Sequence, residues 1–238
     1  MTFLRSTLFF LWFVLASVVI HILALPALVL PRAVTLWVAD IWCAAVLWGL
    51  RIFARLRIEI RGTIPPDGAL VAAKHMSMLD TVVLFACLNQ PRFVLKQELL
   101  RIPFWGWYVK NAGMIAIDRE GRASALRKMA LAVRAAITDG HAVVIFPEGT
   151  RKTPGAPTDY KPGVAGLYRQ LGVACIPVAL NSGLFWQGFT KRRGTMMVEF
   201  LAPIPPGLKR RDFMAELETR IETATAALVA ESRAGRDR

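Results

Sequence analysis

Residues 68–80 read GALVAAKHMSMLD, and they contain the turn on which the predicted fold depends. The apolar run at 69–73 has the length and composition of a β-strand. Lys74 and His75 follow it, and Asp80 lies five residues beyond the histidine. Because each helical residue turns by roughly 100°, two side chains five positions apart on one helix point about 140° away from each other. A strand end, a turn and a helix starting near Asp80 would bring the two side chains together.

The pair of His75 and Asp80 admits two interpretations. In a catalytic interpretation the imidazole is a general base, and the carboxylate orients it and stabilises the imidazolium that forms. In a structural interpretation His75 is a surface residue in a loop, and Asp80 caps the following helix, whose dipole favours a carboxylate there. The pattern alone does not separate them, because short motifs have a high false-positive rate.

Composition narrows the class of partner. The chain has 238 residues, enough for one substantial domain with a membrane element. Its hydrophobic fraction of 55% and mean hydropathy of +0.42 are high for a soluble protein. A net charge of +13 predicts an anionic partner, and the apolar content favours a membrane or phospholipid over nucleic acid. The basic clusters at 191–193 and 209–211 also lack the interleaved aromatic residues of a nucleic-acid binder.

The cysteines and two of the histidines indicate neither a disulfide framework nor a metal centre. Cys43, Cys87 and Cys175 are odd in number, widely scattered and without zinc-type spacing. His21 and His141 show no metal-ligand spacing with other candidate ligands, and we interpret both as structural. No metal site is therefore predicted.

The N-terminal end of the chain predicts a membrane association. Residues 7–25 are nearly all apolar and are long enough to cross about 30 Å of hydrocarbon. This run is longer than the core of a signal peptide and lacks a clear cleavage site, so an anchor is favoured. A second apolar run at 33–50 contains Asp40, which would cost about 2.5–3.5 kcal/mol at the centre of a bilayer. Whether the two segments span the bilayer or lie in its interface is left open.

The distribution of arginines predicts an orientation for this segment. Arg32 lies between the two apolar runs, whereas Arg51, Arg55 and Arg57 follow the second one. Positive charge collects on the cytoplasmic side of membrane segments, which favours a hairpin with both ends in the cytoplasm. We therefore expect the cytoplasmic (inner) membrane, with the globular part facing the cytoplasm.

The remaining chain alternates strands with helices. Strand patterns occur at residues 56–61, 69–73, 92–95, 114–117, 142–146, 174–180 and 195–200. Helix patterns occur at residues 81–88, 122–139, 163–171 and 212–232. This order predicts a single α/β domain with a largely parallel, mixed sheet flanked by helices and preceded by the N-terminal apolar helical hairpin. The first strand alternates apolar and charged residues, as is typical of an edge strand.

Polar clusters follow three of the predicted strands. They are Lys74-His75, Asp118-Arg119 and the run Glu148, Gly149, Thr150 and Arg151. In open α/β sheets ligands bind beyond the carboxyl ends of the strands, so these clusters predict one site. The two arginines present planar forks suited to phosphate, and the amides after Glu148 could donate to an anion or oxyanion. Glu148 itself could accept from a substrate hydroxyl or fix an arginine.

Four ordered blocks resemble those of the glycerolipid acyltransferases. They are KHMSMLD at 74–80, GMIAIDR at 113–119, FPEGTR at 146–151 and IPVAL at 176–180. Within that family the resemblance is greatest to the bacterial 1-acylglycerol-3-phosphate (lysophosphatidic acid) acyltransferases, and it covers roughly residues 56–205. One departure is Lys74, where many members carry asparagine before the histidine.

The resemblance implies an activity at the membrane. A fatty acyl group would pass from acyl-CoA or an acyl carrier protein thioester, as co-substrate and without a cofactor, to the free sn-2 hydroxyl of 1-acylglycerol-3-phosphate, giving phosphatidic acid. Residues 1–55 would be the membrane-associated helical segment and residues 56–238 the acyltransferase domain. The resemblance makes His75 the base and Asp80 its partner. It assigns the acceptor site to Arg119 for the phosphate, to Glu148, Gly149, Thr150 and Arg151 for the pocket, and to Lys96 and Lys161 as further basic residues.

The surroundings of Ser77 predict how the acyl group is transferred. Ser77 is not surrounded by the G-x-S-x-G of a nucleophile elbow. We therefore predict direct attack of the acceptor hydroxyl on the thioester, with amides near Gly149 holding the oxyanion.

Two alternative functions stay open. One is an acyltransferase acting on another lysolipid, such as a lyso-ornithine lipid. The other is a non-enzymatic membrane protein that binds anionic lipid.

Overall fold

A central sheet of seven strands organises the computed structural model, which describes residues 1–118 and 122–235. Its strand order is β1-β9-β6-β2-β5-β3-β4, and only the contact between β6 and β9 is antiparallel. The strands are β1 Leu56–Gly62, β2 Leu70–Ala73, β3 Arg92–Lys96, β4 Ile115–Ile117, β5 Val143–Ile145, β6 Cys175–Leu180 and β9 Gly194–Phe200. A separate hairpin pairs β7 Trp186–Gln187 with β8 Thr190–Lys191. The predicted mixed, mostly parallel sheet is confirmed, with β1 at one edge.

Seven α-helices surround this sheet within the described residues. They are α1 Thr2–Leu23, α2 Arg32–Gly49, α3 Met78–Cys87, α4 Trp105–Asn111, α5 Arg122–Thr138, α6 Gly163–Leu171 and α7 Arg210–Ala234. The short α4 and the β7–β8 hairpin were not predicted. Their segments are broken by prolines and glycines and are too short to show a period. Helix α3 begins at Met78, two residues before Asp80, because Ser77 caps it.

The alternation along β2 distributes its side chains between two cores. Val71 and Ala73 point into a cluster shared with α2 and α3, whereas Leu70 and Ala72 point into one shared with α5, α6 and α7. Successive side chains of a strand face opposite sides of the sheet, so a strand buried on both faces must be apolar throughout. All four residues are fully buried, which accounts for the unbroken apolar run before Lys74.

The N-terminal hairpin is built into the larger of these cores. Helix α2 contributes Leu36, Cys43 and Val46 to the cluster on its face of the sheet, and α1 contributes Phe9. The helical segments Thr2–Leu23 and Arg32–Ala54 are long and apolar enough to cross a membrane, but 17% of an apolar 18-residue stretch of the first and 39% of one in the second are buried in the protein. The predicted division after residue 55 stays a prediction, since buried residues on both sides of it share one cluster.

Contacts of Ser6 and Phe9 with Lys191 join α1 to the β7–β8 hairpin. The Ser6 hydroxyl accepts the backbone N–H of Lys191 at 2.9 Å. The ammonium of Lys191 lies 4.3 Å from the ring centroid of Trp186 and 5.6 Å from that of Phe9, distances typical of cation–π contacts. Burial lowers the pKa of Lys191 to about 8. Lys191 therefore belongs to the packing of α1 and not to an exposed basic cluster.

Truncation of Phe9 tests whether α1 is part of the folded unit. Phe9 is 1% exposed and Leu11 is 59% exposed on the same helix. Phe9→Ala should lower the free energy of unfolding in detergent micelles by about 3 kcal/mol, because it removes a buried ring and leaves a cavity. Leu11→Ala should change it by less than about 0.5 kcal/mol. Equal losses from the two variants, measured by chemical denaturation, would contradict the docked arrangement of α1.

Candidate active site

The turn between β2 and α3 is fixed by a capping box. The Ser77 hydroxyl caps the first turn of α3, and the side chain of Asp80, at the third helical position, accepts the Ser77 N–H at 2.8 Å. This reciprocal arrangement satisfies amides that a helix start otherwise leaves unpaired. It also places Asp80 back over the end of β2, where the preceding residues can reach it.

His75 and Asp80 form the predicted pair. The imidazole Nδ1 lies 3.0 Å from Asp80 Oδ2, the same oxygen that accepts the Met76 N–H at 2.6 Å. A carboxylate can only accept, so it selects the tautomer with the proton on Nδ1 and leaves Nε2 as the basic nitrogen. Asp80 is fully buried, whereas the His75 side chain is 12% exposed. The carboxylate thus lies inside the protein and the base reaches the surface of a cavity.

A stacked ring holds the plane of the imidazole. The centroids of His75 and Phe146 are 3.9 Å apart, and their planes differ by 17°. Phe146 lies 6.1 Å from Phe93, which stacks in turn near Phe85 at 6.4 Å. This ladder connects the imidazole to the core between the sheet and α3. Sequence reasoning missed the role of Phe146, although it opens the block that contains Glu148.

Glu148 lies beneath the base and not in the cavity. Its Oε1 accepts from the Lys74 ammonium at 2.8 Å, and its Oε2 accepts the backbone N–H of His75 at 3.0 Å. Its side chain is fully buried. The expectation that Glu148 accepts from a substrate hydroxyl or fixes Arg151 is therefore corrected. One of its oxygens accepts from Lys74, and the other accepts from the His75 backbone.

A cavity of about 520 Å³ opens over His75. Three exposed polar residues line it, namely Lys96 at the end of β3 and Thr150 and Arg151 after β5. Its apolar lining includes Trp42, Met78, Phe93, Ile102 and Trp105. The strand order explains this meeting, because β2, β5 and β3 are neighbours and their carboxyl ends lie at one edge of the sheet. The cavity combines a base, cations and apolar walls.

Gly149 shapes the turn after β5 in a way that differs from the prediction. Its φ of +64° suits a residue without a Cβ, and its N–H donates to the Phe146 carbonyl at 3.0 Å. The amide is therefore engaged inside the turn, and the expectation that it donates to an oxyanion is corrected. Gly149 still lines the cavity over His75, next to Thr150.

One of the predicted basic residues, Lys161, lies outside this cavity. Lys161 lines a neighbouring cavity of about 810 Å³ and makes an ion pair with Asp159. Arg119, the predicted phosphate ligand, lies outside the described residues, so its place in the site stays a prediction. Of the predicted binding residues, the structure brings Lys96, Gly149, Thr150 and Arg151 together around His75.

The two remaining histidines, His21 and His141, make packing and hydrogen-bond contacts away from the cavity over His75. Arg92 donates to Nε2 of His141 at 2.8 Å, and burial together with this guanidinium lowers the pKa of His141. The ring of His21 packs edge-on against Tyr108 at 4.9 Å. Within residues 1–118 and 122–235, no three histidine, cysteine or acidic side chains are grouped as metal ligands would be.

The comparison with known proteins agrees with this geometry. The model of the acyltransferase family matches residues 55–181. A 1-acyl-sn-glycerol-3-phosphate acyltransferase of Pseudomonas aeruginosa is 33% identical over 204 residues, covering 84% of this chain and 79% of that protein. The bovine 1-acyl-sn-glycerol-3-phosphate acyltransferase alpha is 32% identical over 168 residues, and the match spans 67% of this chain and 58% of the bovine protein.

A solved structure shows the same fold. The 1-acyl-sn-glycerophosphate (LPA) acyltransferase of Thermotoga maritima superimposes with a TM-score of 0.77, and the match covers 96% of this chain and 98% of that one. At 21% sequence identity this likeness concerns the fold alone. The non-enzymatic alternative is set aside by the family match and by the close relative over most of the chain. This chain belongs to the acyltransferase family.

Proposed function

We propose that this acyltransferase moves a fatty acyl group from an acyl thioester to the free sn-2 hydroxyl of 1-acylglycerol-3-phosphate, giving phosphatidic acid. The observation that carries the proposal is the His75–Asp80 pair at 3.0 Å, whose imidazole lines a cavity that is also lined by two cations and by apolar side chains. The relative from Pseudomonas aeruginosa is a 1-acyl-sn-glycerol-3-phosphate acyltransferase, which supports the choice of acceptor. The donor would be acyl-CoA or an acyl carrier protein thioester, with no further cofactor.

Direct transfer fits the residues around the base. Nε2 of His75 takes the proton of the acceptor hydroxyl while its oxygen forms a bond to the thioester carbonyl carbon. The carbon–sulfur bond of the tetrahedral intermediate then breaks, and the imidazolium returns the proton to the leaving thiolate. Asp80 stabilises the imidazolium between these two steps. General-base assistance of this kind contributes about 10²–10⁴ in rate.

The acceptor phosphate is assigned to the cationic side of the cavity. Arg151 offers a planar fork that can bind phosphate through two hydrogen bonds, and Lys96 adds a point charge in the same cavity. Arg119 is proposed as a third ligand on the strength of the sequence block alone. Because the Gly149 amide is used in its turn, we assign the oxyanion to the backbone of Thr150.

The apolar side of the cavity is assigned to acyl chains. A second cavity of about 140 Å³ continues from it, between the N-terminal hairpin and helices α3 and α4. The two cavities share six lining residues, among them Trp42, Val82, Leu95 and Trp105. Each methylene moved from water to such a surface contributes about 0.8 kcal/mol. The N-terminal hairpin would thereby form part of the site as well as an anchor.

A bilayer would dock on the face formed by α1 and the start of α4. The outward side of α1 is apolar along its length, and Phe104 and Trp107 are 56% and 53% exposed beside the hairpin. The Tyr108 hydroxyl donates to the His21 carbonyl at 2.7 Å, which holds α4 against α1. We propose the cytoplasmic membrane, with the sheet on the cytoplasmic side, because arginines follow the second apolar run.

The base is tested by His75→Ala in detergent micelles supplied with a long-chain acyl thioester and 1-acylglycerol-3-phosphate. We expect kcat to fall by at least about 10², because the variant has no group to take the hydroxyl proton. His141→Gln is the matched control and should keep its activity, since that side chain contacts Arg92 away from the cavity. Unchanged phosphatidic acid formation by His75→Ala would contradict the proposal. A stoichiometric burst of acyl-enzyme with donor alone would contradict direct attack.

The assignment of the phosphate is tested by Arg151→Ala. We expect KM for 1-acylglycerol-3-phosphate to rise by about tenfold or more, the scale of a lost charge-assisted hydrogen bond. KM for the acyl thioester should change little, and Arg193→Ala, an exposed arginine outside the cavity, should behave as the unmodified chain. Equal increases in KM for acceptor and donor would show that Arg151 does not recognise the acceptor phosphate.

The docking face is tested by substituting Trp107. Trp107→Ala should weaken binding to vesicles of mixed anionic and zwitterionic phospholipid by several-fold, because an exposed indole is favoured in the interfacial region. Leu131→Ala is the control, since Leu131 is 69% exposed on α5, away from the hairpin. Unchanged cosedimentation of Trp107→Ala, or an equal loss with Leu131→Ala, would contradict the orientation.

A further inference from the structure

One ammonium joins three elements below the catalytic base. Lys74 Nζ lies 2.8 Å from Glu148 Oε1 and 2.7 Å from Glu222 Oε1. Glu148 follows β5, whereas Glu222 is in the middle of the C-terminal helix α7. The side chains of Lys74 and Glu148 are almost completely buried, and that of Glu222 is 28% exposed. The ammonium thus has one carboxylate partner inside the protein and a second one that closes it off from solvent.

The inner partner reaches the backbone of the base. Glu148 Oε2 accepts the His75 N–H at 3.0 Å, and the His75 carbonyl accepts the Lys152 N–H at 2.9 Å. Both backbone groups of His75 are therefore held by the segment after β5. The position of the imidazole depends on the position of Glu148, and the position of Glu148 depends on the ammonium that it shares.

The outer partner is itself oriented. The Tyr160 hydroxyl donates to Glu222 Oε1 at 2.8 Å. Burial raises the pKa of Tyr160, and the charge of Glu222 raises it further, so the phenol stays a donor. Tyr160 lies at the end of the loop after β5, which makes α7 and that loop the two outer walls around Lys74.

We propose that Glu222, held by Tyr160, is a positioning residue for His75. It keeps the Lys74 ammonium in place, so that Glu148 stays aligned with the His75 amide. Without Glu222 the ammonium would turn toward water, because one buried carboxylate cannot satisfy its three donors. The inference rests on the proposed function, and it places a residue of the catalytic apparatus outside residues 55–181, the part that matches the family model.

The test compares Glu222→Ala with Glu218→Ala. Glu218 is one helical turn earlier on α7 and accepts from Thr158 of the same loop, so it is a matched control that does not contact Lys74. Glu222→Ala should lower kcat by about tenfold, the scale of one charge-assisted hydrogen bond, with KM for both substrates within about twofold. Glu218→Ala should leave kcat and both KM values unchanged. Equal kcat values for the two variants would overturn the proposal.

A conservative variant and a double variant distinguish a positioning role of Glu222 from a role in stability alone. Glu222→Gln keeps an oxygen that can accept from both Lys74 and Tyr160, and it should retain kcat within about threefold of the unmodified chain. In a Lys74→Met background, Glu222→Ala should cause no further loss, because the ammonium on which it acts is gone. Additive losses in that double variant would overturn the proposal, as would a kcat loss in Glu222→Gln equal to that in Glu222→Ala.

The outcome is distinguishable from a failure of the proposed function. Every variant is assayed beside the unmodified chain with the same thioester and 1-acylglycerol-3-phosphate, and its folded fraction is measured by thermal denaturation. An inactive unmodified chain would refute the proposed activity. An active one with an unaffected Glu222→Ala would refute only the positioning role. If Glu222→Ala does not fold, the comparison of Glu222→Gln with Tyr160→Phe applies: Tyr160→Phe should lower kcat by a few-fold at unchanged KM, and unchanged kcat would overturn the proposal.

Discussion

The buried carboxylate of Asp80 is the constraint on which the site depends. A single oxygen accepts from the imidazole of His75 and from the amides of Met76 and Ser77. These donors offset the cost of burying the carboxylate, and without the carboxylate the turn would have unpaired amides. The same group therefore bends the chain between β2 and α3, caps the helix and orients the imidazole of His75. Local folding and catalytic geometry are one arrangement here.

The parallel sheet brings the residues of the site together. Neighbouring parallel strands β2 and β5 end side by side, so the residues after them form a common layer below the cavity. Glu148 and Lys74 occupy that layer as a buried ion pair, whereas Thr150 and Arg151 extend above it. Charge thus has two uses at this edge of the sheet. The buried charges fix the backbone of His75, and the exposed charges are available to an anionic substrate.

Much of this could be predicted from local sequence, for identifiable reasons. The apolar run at 69–73 is typical of a strand buried on both faces, and the helix patterns at 122–139 and 212–232 follow the 3.6-residue period of burial, so β2, α5 and α7 were predicted to within two residues of their bounds. Contacts between distant residues could not be predicted in this way. Glu222 lies 148 positions from Lys74 on a helix that carries several other glutamates, and nothing in its neighbours distinguishes it. The roles of Glu148 and Gly149 were mistaken because burial and turn hydrogen bonds depend on the folded arrangement.

The N-terminal hairpin and the sheet share one core. The hairpin therefore cannot be exchanged for another segment without changing that core. Leu36, Cys43 and Val46 of α2 fill space above β2 and α3, next to the cavity that His75 faces. An unrelated membrane helix grafted in their place would tether the domain but leave a gap in its interior. A natural chain can therefore change its anchor only together with the opposing core residues. Anchor and catalyst are expected to vary as one unit.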